Sequence, residues 1–125
     1  MIAGVGTDLV QVERMREFHR RHGGRALEKL LSPGEFAACA ASPDTGRFLA
    51  KRFAAKEALG KALGCGIRAP LVLPAIEVTH DTAGRPGFSL REDADVLLGG
   101  SGLVAHLSIS DEVDYALAFV VVERP

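Results

Sequence analysis

The sequence predicts an α+β fold in which a mostly antiparallel sheet packs on one long helix and several shorter helices. Apolar runs rich in β-branched residues open and close the chain at Ile2–Val10 and Tyr115–Val122, which is typical of strands. A long helical pattern covers Gly46–Leu63 and is preceded by shorter ones. Because the helical patterns come early and mostly hairpin-connected strand patterns come later, the order favours α+β.

The helices are predicted in the first half of the chain, where apolar residues recur at helical spacing. The predicted helices are Val12–Arg21, Ala26–Leu31, Gly34–Ala41 and Gly46–Leu63. The longest one is expected to stop at Gly64-Cys65-Gly66, because glycine readily takes the left-handed backbone angles that close a helix. Pro70 and Pro74 then mark the exit loop.

The longest helix has an apolar stripe that is expected to face the core. The stripe consists of alanines together with Leu49, Phe53, Leu59 and Leu63. The charged positions are expected on the less apolar sides of this helix, and they are Arg52, Lys56, Glu57 and Lys61. One carboxylate therefore lies among several cationic groups.

The remaining strands are predicted in the second half. The turn residues Gly84–Gly87 separate two short strand patterns, Ala75–Thr79 and Phe88–Leu90. A further pattern covers Ala105–Ser110, where small or polar residues alternate with larger apolar ones. With the two terminal runs, this gives four or five strands. We expect the terminal runs to lie deep in one sheet.

The composition is that of an ordinary globular protein, and the length of 125 residues predicts a single domain over residues 1–125. Hydrophobic residues make up 47% and charged residues 25%, which excludes a disordered chain. A net charge of -1 gives no reason to expect binding to nucleic acid or membranes. Cys39 and Cys65 fit neither zinc spacing nor a disulfide scaffold, so we expect a reducing, cytoplasmic setting. We expect no targeting or membrane-spanning segment, because the N-terminus lacks a basic leader and the longest apolar run, Tyr115–Val122, is too short to cross a bilayer.

Two segments resemble nucleotide-binding motifs but lack what those motifs need. Gly4-Val5-Gly6 begins like a dinucleotide fingerprint, yet the third glycine is missing and Asp8 stands where pyrophosphate would lie. Gly60-Lys61 resembles the end of a P-loop, yet Ala62 replaces the magnesium-binding hydroxyl and the segment is predicted to be helical. We therefore expect neither a Rossmann nucleotide site nor a P-loop.

Asp8 and Glu57 are instead the candidates for a metal-phosphate site. Asp8 interrupts an apolar strand that has no structural need for a charge. Magnesium prefers oxygen ligands and usually takes one or two protein carboxylates together with phosphate oxygens and water. Lys61 follows Glu57 by one helical turn, so its amine can neutralise phosphate charge nearby. The alternatives are a solvent-facing Glu57–Lys61 ion pair and a strand-end role for Asp8 as an acceptor of backbone hydrogen bonds.

Three blocks of residues, in this order, carry a resemblance to a known family. They are Gly4-Val5-Gly6-Thr7-Asp8-Leu9-Val10 with Arg14 shortly after, Arg52-Phe53-Ala54-Ala55-Lys56-Glu57-Ala58 with Lys61, and His106-Leu107-Ser108-Ile109-Ser110 followed by Tyr115-Ala116-Leu117-Ala118. On these blocks the chain resembles holo-acyl-carrier-protein synthase, the small stand-alone class of phosphopantetheinyl transferases, nearly from end to end. The resemblance implies the 4'-phosphopantetheinyl transferase fold.

The resemblance also implies a reaction. In this family the 4'-phosphopantetheine group passes from coenzyme A to a serine of an apo-acyl carrier protein, and adenosine 3',5'-bisphosphate is released, in support of fatty acid or polyketide biosynthesis. Magnesium (Mg²⁺) is implied as the cofactor, with Asp8 and Glu57 as its ligands and Lys61 as a further catalytic residue. A homotrimer with sites between subunits is implied as well.

The same resemblance suggests binding roles for further residues. Arg52, Lys56 and His106 are expected to bind coenzyme A, and Arg14 and Arg21 are expected to meet the acidic helix of the carrier protein. Each has a plainer alternative. The arginines of the first helix can form a solvated face, the stems of Arg52 and Lys56 can cover apolar surface, and a strand histidine can be structural.

The chain departs from the family pattern at Asp111, which follows Ser108-Ile109-Ser110 where the family often has a second histidine. This removes one candidate base and leaves the proton acceptor open, while a turn acid is the alternative role. Two other classes of function also stay open. One is a non-catalytic coenzyme A or carrier-protein binding module of the same fold, and the other is a structural homo-oligomer whose acids make only interface ion pairs.

Overall fold

The computed structural model describes residues 1–125 and confirms the predicted α+β class. The strands are β1 Ile2–Gln11, β2 Ile76–His80, β3 Pro86–Leu90, β4 Val104–Asp111 and β5 Tyr115–Glu123. The helices are α1 Val12–His22, α2 Gly24–Leu30, α3 Phe36–Ala41, α4 Thr45–Leu63 and α5 Glu92–Asp95. The four predicted helices are all present, whereas α5 is too short for a periodic signal. None of the helices combines the length and the apolar character that crossing a bilayer requires.

The strands form two antiparallel sheets. In the larger sheet β5 lies between β1 and β4, while β2 and β3 pair separately as a hairpin. The first and last strands lie in one sheet, as predicted, and are direct neighbours in it, with Asp8 opposite Ala118. At the hairpin turn, the Asp81 carboxylate accepts hydrogen bonds from the backbone N–H groups of Ala83 and Arg85 at 2.9 and 2.8 Å.

Helix α4 covers only one face of the larger sheet, which we call the inner face. The buried inner-face residues of β1 and β5 are Val10, Ala116, Ala118, Val120 and Val122. The opposite, outer face exposes the apolar residues Val5, Leu9, Tyr115, Leu117 and Phe119. The expectation that both strands lie deep in one sheet is confirmed for β5, which is the central strand, and wrong for β1, which is an edge strand whose Leu9 is 60% exposed.

Two glycines of β1 let α4 lie unusually close to the sheet. A Cβ atom at Gly6 would collide with the carbonyl oxygen of Ala58, and one at Gly4 would collide with that of Ala62. These positions therefore exclude any larger residue unless the helix moves away. The close approach places the side chain of Asp8, which points to the same face as Gly6, beside the helix.

Helix α4 begins and ends at residues with capping chemistry. At its start, the Asp44 carboxylate accepts a hydrogen bond from the N–H of Arg47 at 3.1 Å, which satisfies a donor of the first turn. At its end, Gly64 has φ 78° in the left-handed region, and its N–H donates to the carbonyl oxygens of Gly60 and Lys61. The predicted stop of the helix is confirmed.

Candidate active site

The structure brings Asp8, Glu57 and Lys61 together where β1 faces α4; we call them the site cluster. The Lys61 ammonium donates to Asp8 Oδ1 at 3.1 Å and to the carbonyl oxygen of Thr7 at 2.9 Å. The Asp8 side chain is 17% exposed and the Lys61 side chain 53%. Lys61 forms its salt bridge with Asp8 and not with Glu57, so the alternative of a simple Glu57–Lys61 ion pair is not what the fold contains.

Glu57 is the member of this cluster whose pKa is shifted by its surroundings. Partial burial raises the pKa of its carboxyl, and the negative charge of Asp8 raises it further. The positive charges of Lys61 and Arg14 act in the opposite direction without cancelling the effect. No hydrogen bond to the carboxylate contributes. A carboxylate held beside a second acid, without a donor of its own, is suited to a bound cation.

The two carboxylates fit a divalent cation that takes most of its ligands from phosphate and water and only one or two from the protein. No group of three or more histidine, cysteine, aspartate or glutamate residues is arranged to hold a metal. Magnesium needs only one or two protein carboxylates where phosphates and water supply the other oxygens. Glu57 and the second oxygen of Asp8 are free to contribute those carboxylate ligands. The arrangement therefore fits a magnesium-phosphate site and does not fit an all-protein metal cage.

A groove between α1, α2 and α4, which we call the α1 groove, lies next to the site cluster. It encloses about 410 Å³. Its residues are Arg14, Met15, Glu17, Phe18, Arg21, Lys29, Leu30, Phe53 and Leu73. Arg14 joins the groove to the site cluster, because its guanidinium lies 5.8 Å from the centre of the Phe53 ring and its charge acts on Glu57. The groove thus combines an apolar lining with three basic residues.

The arginines of α1 differ in whether they already have an acidic partner. Arg16 pairs with Asp44 at 2.7 Å. Arg20 pairs with Glu17. Arg14 and Arg21 form no salt bridge and are exposed. These two residues therefore have the free charge that an acidic partner would need.

Lys56 does not have the position that was predicted for it. Its side chain is completely buried, and its ammonium donates to Glu35 Oε1 at 2.6 Å and to the carbonyl oxygens of Leu30 and Leu73 at 2.8 and 3.1 Å. Burial lowers the pKa of Lys56, while the charge of Glu35 raises it. Because all three protons of the ammonium have acceptors inside the fold, the expected contact of Lys56 with coenzyme A is corrected to an interior role.

Arg52 is shared between the interior and a surface groove. Its Nη1 donates to Glu35 Oε2 at 3.2 Å and to the carbonyl oxygen of Val78 at 2.5 Å, so Glu35, Arg52 and Lys56 form what we call the interior cluster. Arg52 also lines a groove of about 180 Å³, the basic groove. The other titratable side chains that line it are the bases Arg47, Lys51 and His80 and one acid, Asp44. The expected phosphate contact of Arg52 is therefore compatible with its position.

The basic groove and the site cluster lie on different sides of α4. Glu57 follows Arg52 by five residues, which rotates it by about 140° around the helix axis. Burial lowers the pKa of His80 in this groove, and the positive charges of Arg52 and Lys51 lower it further. Coenzyme A phosphates bound there would therefore lie away from the two acids of the same chain.

His106 is also separated from the acids within one chain. It lies on the outer face of β4, with 56% of its side chain exposed, and its Nε2 is 2.6 Å from Glu123 Oε1. Asp8 lies on the inner face of β1, and β5 runs between these two strands. The fold therefore does not bring His106 to Asp8 and Glu57 in a single copy of the chain.

Asp111 has a structural position that accounts for its charge. Arg47 Nη1 donates to Asp111 Oδ2 at 3.0 Å and to the carbonyl oxygen of Glu112 at 2.6 Å, and its Nη2 donates to that of Val113 at 3.0 Å. These bonds join the β4–β5 turn to the first turn of α4. Since Arg47 precedes Glu57 by about 15 Å along the helix, the role of a turn acid fits Asp111 better than that of a proton acceptor.

Glu35 is the residue that the sequence analysis missed. It is 1% exposed, and it lies at the end of a short 3₁₀ turn, Pro33–Glu35. Its only local signal is the capping-box pattern with Ser32, in which a serine is followed three residues later by a glutamate. That pattern accounts for the contact of Glu35 with the backbone of Ser32 but does not indicate burial beside two basic residues.

The chain belongs to the 4'-phosphopantetheinyl transferase superfamily, whose sequence profile matches residues 4–120. The matched range contains the site cluster, the interior cluster and the residues of both grooves. The predicted family and fold are thereby confirmed.

Proteins that match nearly the whole chain include holo-[acyl-carrier-protein] synthases. Holo-[acyl-carrier-protein] synthase of Dechloromonas aromatica is 54% identical over 124 residues, which is 99% of this chain and 99% of the relative. The structure of holo-[acyl-carrier-protein] synthase from Neisseria meningitidis has a TM-score of 0.93 at 39% identity and covers 98% of this chain and 99% of its own. The Helicobacter pylori synthase in complex with coenzyme A has a TM-score of 0.82 at 30% identity, with coverage of 95% and 99%.

Proposed function

We propose that this protein transfers the 4'-phosphopantetheine group of coenzyme A to a serine of an apo-acyl carrier protein. The products are holo-carrier protein and adenosine 3',5'-bisphosphate, and the reaction serves fatty acid or polyketide biosynthesis. The observation that carries the proposal is the site cluster of Asp8, Glu57 and Lys61 in a chain of this superfamily. Relatives that are named as synthases, one of them with coenzyme A bound, support the choice of substrates.

The reaction requires the positioning of two substrates and the neutralisation of charge. The serine oxygen of the carrier forms a bond to the phosphorus on the pantetheine side of the coenzyme A pyrophosphate. The bond between that phosphorus and the bridging oxygen breaks, and the serine proton passes to a base. The bridging oxygen leaves with adenosine 3',5'-bisphosphate. We assign to Lys61 the role of stabilising the negative charge that develops on this leaving oxygen.

Asp8 and Glu57 are the residues that would hold Mg²⁺. When bound, the ion supplies neutralisation of the pyrophosphate charge and polarises its phosphorus–oxygen bonds. Glu57 serves this purpose only as a carboxylate, and Lys61 orients the Asp8 carboxylate through the 3.1 Å contact. The close packing at Gly6 keeps strand and helix at the spacing that both acids need.

The α1 groove is the proposed docking site of the carrier protein. Its apolar floor and its free arginines, Arg14 and Arg21, suit an amphipathic helix with an acidic face. Replacing both arginines with alanine should raise KM for the carrier about tenfold, reduce its salt dependence and leave kcat nearly unchanged. Arg20→Ala, which removes a paired arginine of the same helix, is the matched control and should change KM little.

We further propose that the complete site forms between subunits of a homotrimer in the cytoplasm. Within one chain, His106 and the basic groove lie apart from the two acids, so a second copy is needed to bring them together. The exposed apolar outer face beside His106 offers the surface for such an interface. The free thiols of Cys39 and Cys65 suit a reducing compartment.

The first experiment is intact-mass analysis of an apo-acyl carrier protein after incubation with this protein, coenzyme A and Mg²⁺. We expect the mass to increase by one phosphopantetheine group, and a chelator to prevent the increase. Failure of this protein to modify a carrier that another transferase does modify would contradict the proposed transfer activity. Binding of coenzyme A without transfer would then indicate the non-catalytic module, and the absence of metal-dependent binding would indicate the structural oligomer.

The second experiment tests whether the site is shared between subunits. Glu57→Gln and His106→Ala chains are each expected to be impaired, and mixed oligomers should recover part of the activity if each chain supplies what the other lacks. Sedimentation analysis of the same samples measures the number of subunits. Mixed oligomers as inactive as either parent would place both residues in one chain's site and contradict the shared site.

A further inference from the structure

The interior cluster satisfies every group that it buries. Glu35 accepts hydrogen bonds from Lys56 and from the backbone N–H of Ser32 on one oxygen, at 2.6 and 2.9 Å. Its other oxygen accepts from Arg52 and from the backbone N–H of Val78, at 3.2 and 3.1 Å. No buried side-chain polar atom of the protein lacks a partner. Such a network has one well-defined geometry, because any displacement leaves a buried charge without its partner.

Through this network, one lysine of α4 is tied to three other segments. The Lys56 ammonium contacts Leu30 at the end of α2, Glu35 before α3, and Leu73 in the turn before β2. These segments flank α4 away from the larger sheet. The helix is thus fixed on one side by Lys56 and on another by the close contact of its backbone with Gly6.

Lys56 directly precedes Glu57, so the direction of one side chain determines that of the other. Consecutive residues of a helix differ by about 100° in direction. A side-chain carboxylate lies roughly 6 Å from the helix axis, so a helix rotation of about 10° would move it by about 1 Å. A displacement of that size is enough to lower catalytic activity by about two orders of magnitude.

We propose that Glu35 is a positioning residue of the metal-phosphate site: by holding Lys56 and Arg52, it fixes the rotation of α4 and thereby the direction of Glu57 toward Asp8. Glu35 does not touch the two acids, and its one contact with a residue of the basic groove is the hydrogen bond from Arg52. This inference rests on the proposed function, because it assigns a purpose to the geometry of that site.

The test is Glu35→Gln, which keeps the shape of the side chain and removes its charge. We expect Mn²⁺ binding in the presence of coenzyme A, measured by electron paramagnetic resonance, to weaken about tenfold. The Mg²⁺ concentration for half-maximal turnover should rise by the same factor, while KM for the carrier stays unchanged. Ile76→Ala, at a fully buried apolar position of β2, is the control for lost stability.

The control separates positioning from stability alone. At equal loss of thermal stability, Ile76→Ala should bind Mn²⁺ like the unmodified protein. The inference is wrong if Glu35→Gln binds Mn²⁺ normally, or if Ile76→Ala weakens binding to the same extent.

A double variant covers the case in which Glu35→Gln fails to fold. Glu35→Gln with Lys56→Met replaces the central ion pair by uncharged groups of similar size, which often restores stability. Since the contacts of Lys56 with Leu30 and Leu73 are lost, we expect Mn²⁺ binding to stay weak even where folding recovers. Recovery of metal affinity together with stability would overturn the inference. Failure of the unmodified protein to bind Mn²⁺ or to transfer the group would instead contradict the proposed function itself.

Discussion

Helix α4 carries residues of two charged clusters, and the clusters differ in how their charges are balanced. In the interior cluster, Glu35 accepts four hydrogen bonds and the Lys56 ammonium donates three, all within the protein. In the site cluster, Lys61 is bound to Asp8 and to the backbone of Thr7, while Glu57 has no donor. Each cluster has two residues that lie four positions apart on α4, namely Arg52 and Lys56 in one and Glu57 and Lys61 in the other.

The difference indicates which cluster acts on a ligand. The interior cluster has two bases for one acid, and its Glu35 and Lys56 side chains are completely enclosed, so neither has an atom free for a substrate. Only Arg52 extends from this cluster to the basic groove. The site cluster has two acids for one base and is open to solvent, so it lacks a positive charge that a metal ion would supply. A charged residue whose partners are all inside the fold serves the fold, whereas an incompletely paired charge at the surface of the same helix is available for chemistry.

Among the variants that distinguish the two clusters, Glu57→Gln is expected to have the largest effect on transfer activity. Because this change removes a proposed metal ligand without altering the shape of the side chain, magnesium-dependent transfer should fall by about a thousandfold or more. The measurement is the initial rate of carrier modification by intact mass over a range of Mg²⁺ concentrations.

The matched control for this variant is Glu92→Gln, at an exposed position of α5. Its activity should equal that of the unmodified protein, and the circular dichroism of both variants should be unchanged. Activity of Glu57→Gln within tenfold of the unmodified protein would exclude Glu57 as a metal ligand.

A smaller but still large effect is expected for Gly6→Ala. The added methyl group collides with the carbonyl oxygen of Ala58, so α4 must move away from β1 and the two acids must separate. We expect activity to fall about a hundredfold and the free energy of unfolding to fall by about 1 to 3 kcal/mol. Transfer rate and chemical denaturation are the measurements.

Gly24→Ala provides the contrast, because a Cβ at Gly24 meets no atom within 4 Å. This variant should retain activity and, in a helix, gain up to about 1 kcal/mol of stability. Equal behaviour of the two alanine variants would show that the spacing of strand and helix does not matter for the site.

The site cluster was more predictable from sequence than the interior cluster. Asp8 was recognisable because an acid interrupts an apolar strand, and Lys61 because it follows Glu57 by one helical turn. Lys56 and Lys61 look alike in sequence, and their opposite environments are set by segments that are distant in the chain, namely the end of α2 and the turn before β2. Local patterns carry no information about such contacts.

The two faces of the larger sheet illustrate the same limit. Periodicity correctly identified β1 and β5 as strands, because their β-branched residues favour extended backbone. It also led to the expectation that both lie deep in one sheet, whereas β1 is an edge strand of that sheet. Helix α4 covers the inner face alone and leaves Leu9 and Phe119 exposed. An apolar pattern shows that a face avoids water, and it does not show whether the chain itself or a second copy covers it.

Metal affinity should depend on pH in a direction set by Glu57. Burial and the charge of Asp8 raise the pKa of Glu57 above its ordinary value, so the proton competes with the metal at a higher pH than it would at an exposed glutamate. As pH falls through this raised pKa, Mn²⁺ affinity should be lost, approaching about tenfold per pH unit below it. A tenfold higher metal concentration should shift the loss of bound metal to lower pH. Loss of the metal at the same pH for every metal concentration would contradict direct competition between the proton and the metal.

The smallest effect concerns stability without metal, and it should have opposite signs in the two clusters. A pKa raised by the fold means that the folded chain binds the Glu57 proton more tightly than the unfolded chain does, so the uncharged form is favoured in the fold. Glu57→Gln should therefore raise Tm at pH 7 by about 2 °C, and the gain should shrink as pH falls and Glu57 itself becomes protonated. Glu35→Gln should lower Tm instead, because it leaves the buried charges of Lys56 and Arg52 without their acid. Thermal unfolding of both variants in the presence of a chelator measures the two shifts in Tm. A decrease in Tm for Glu57→Gln would mean that the protein already stabilises the charge of the Glu57 carboxylate. That result would remove the reason for a metal at this position.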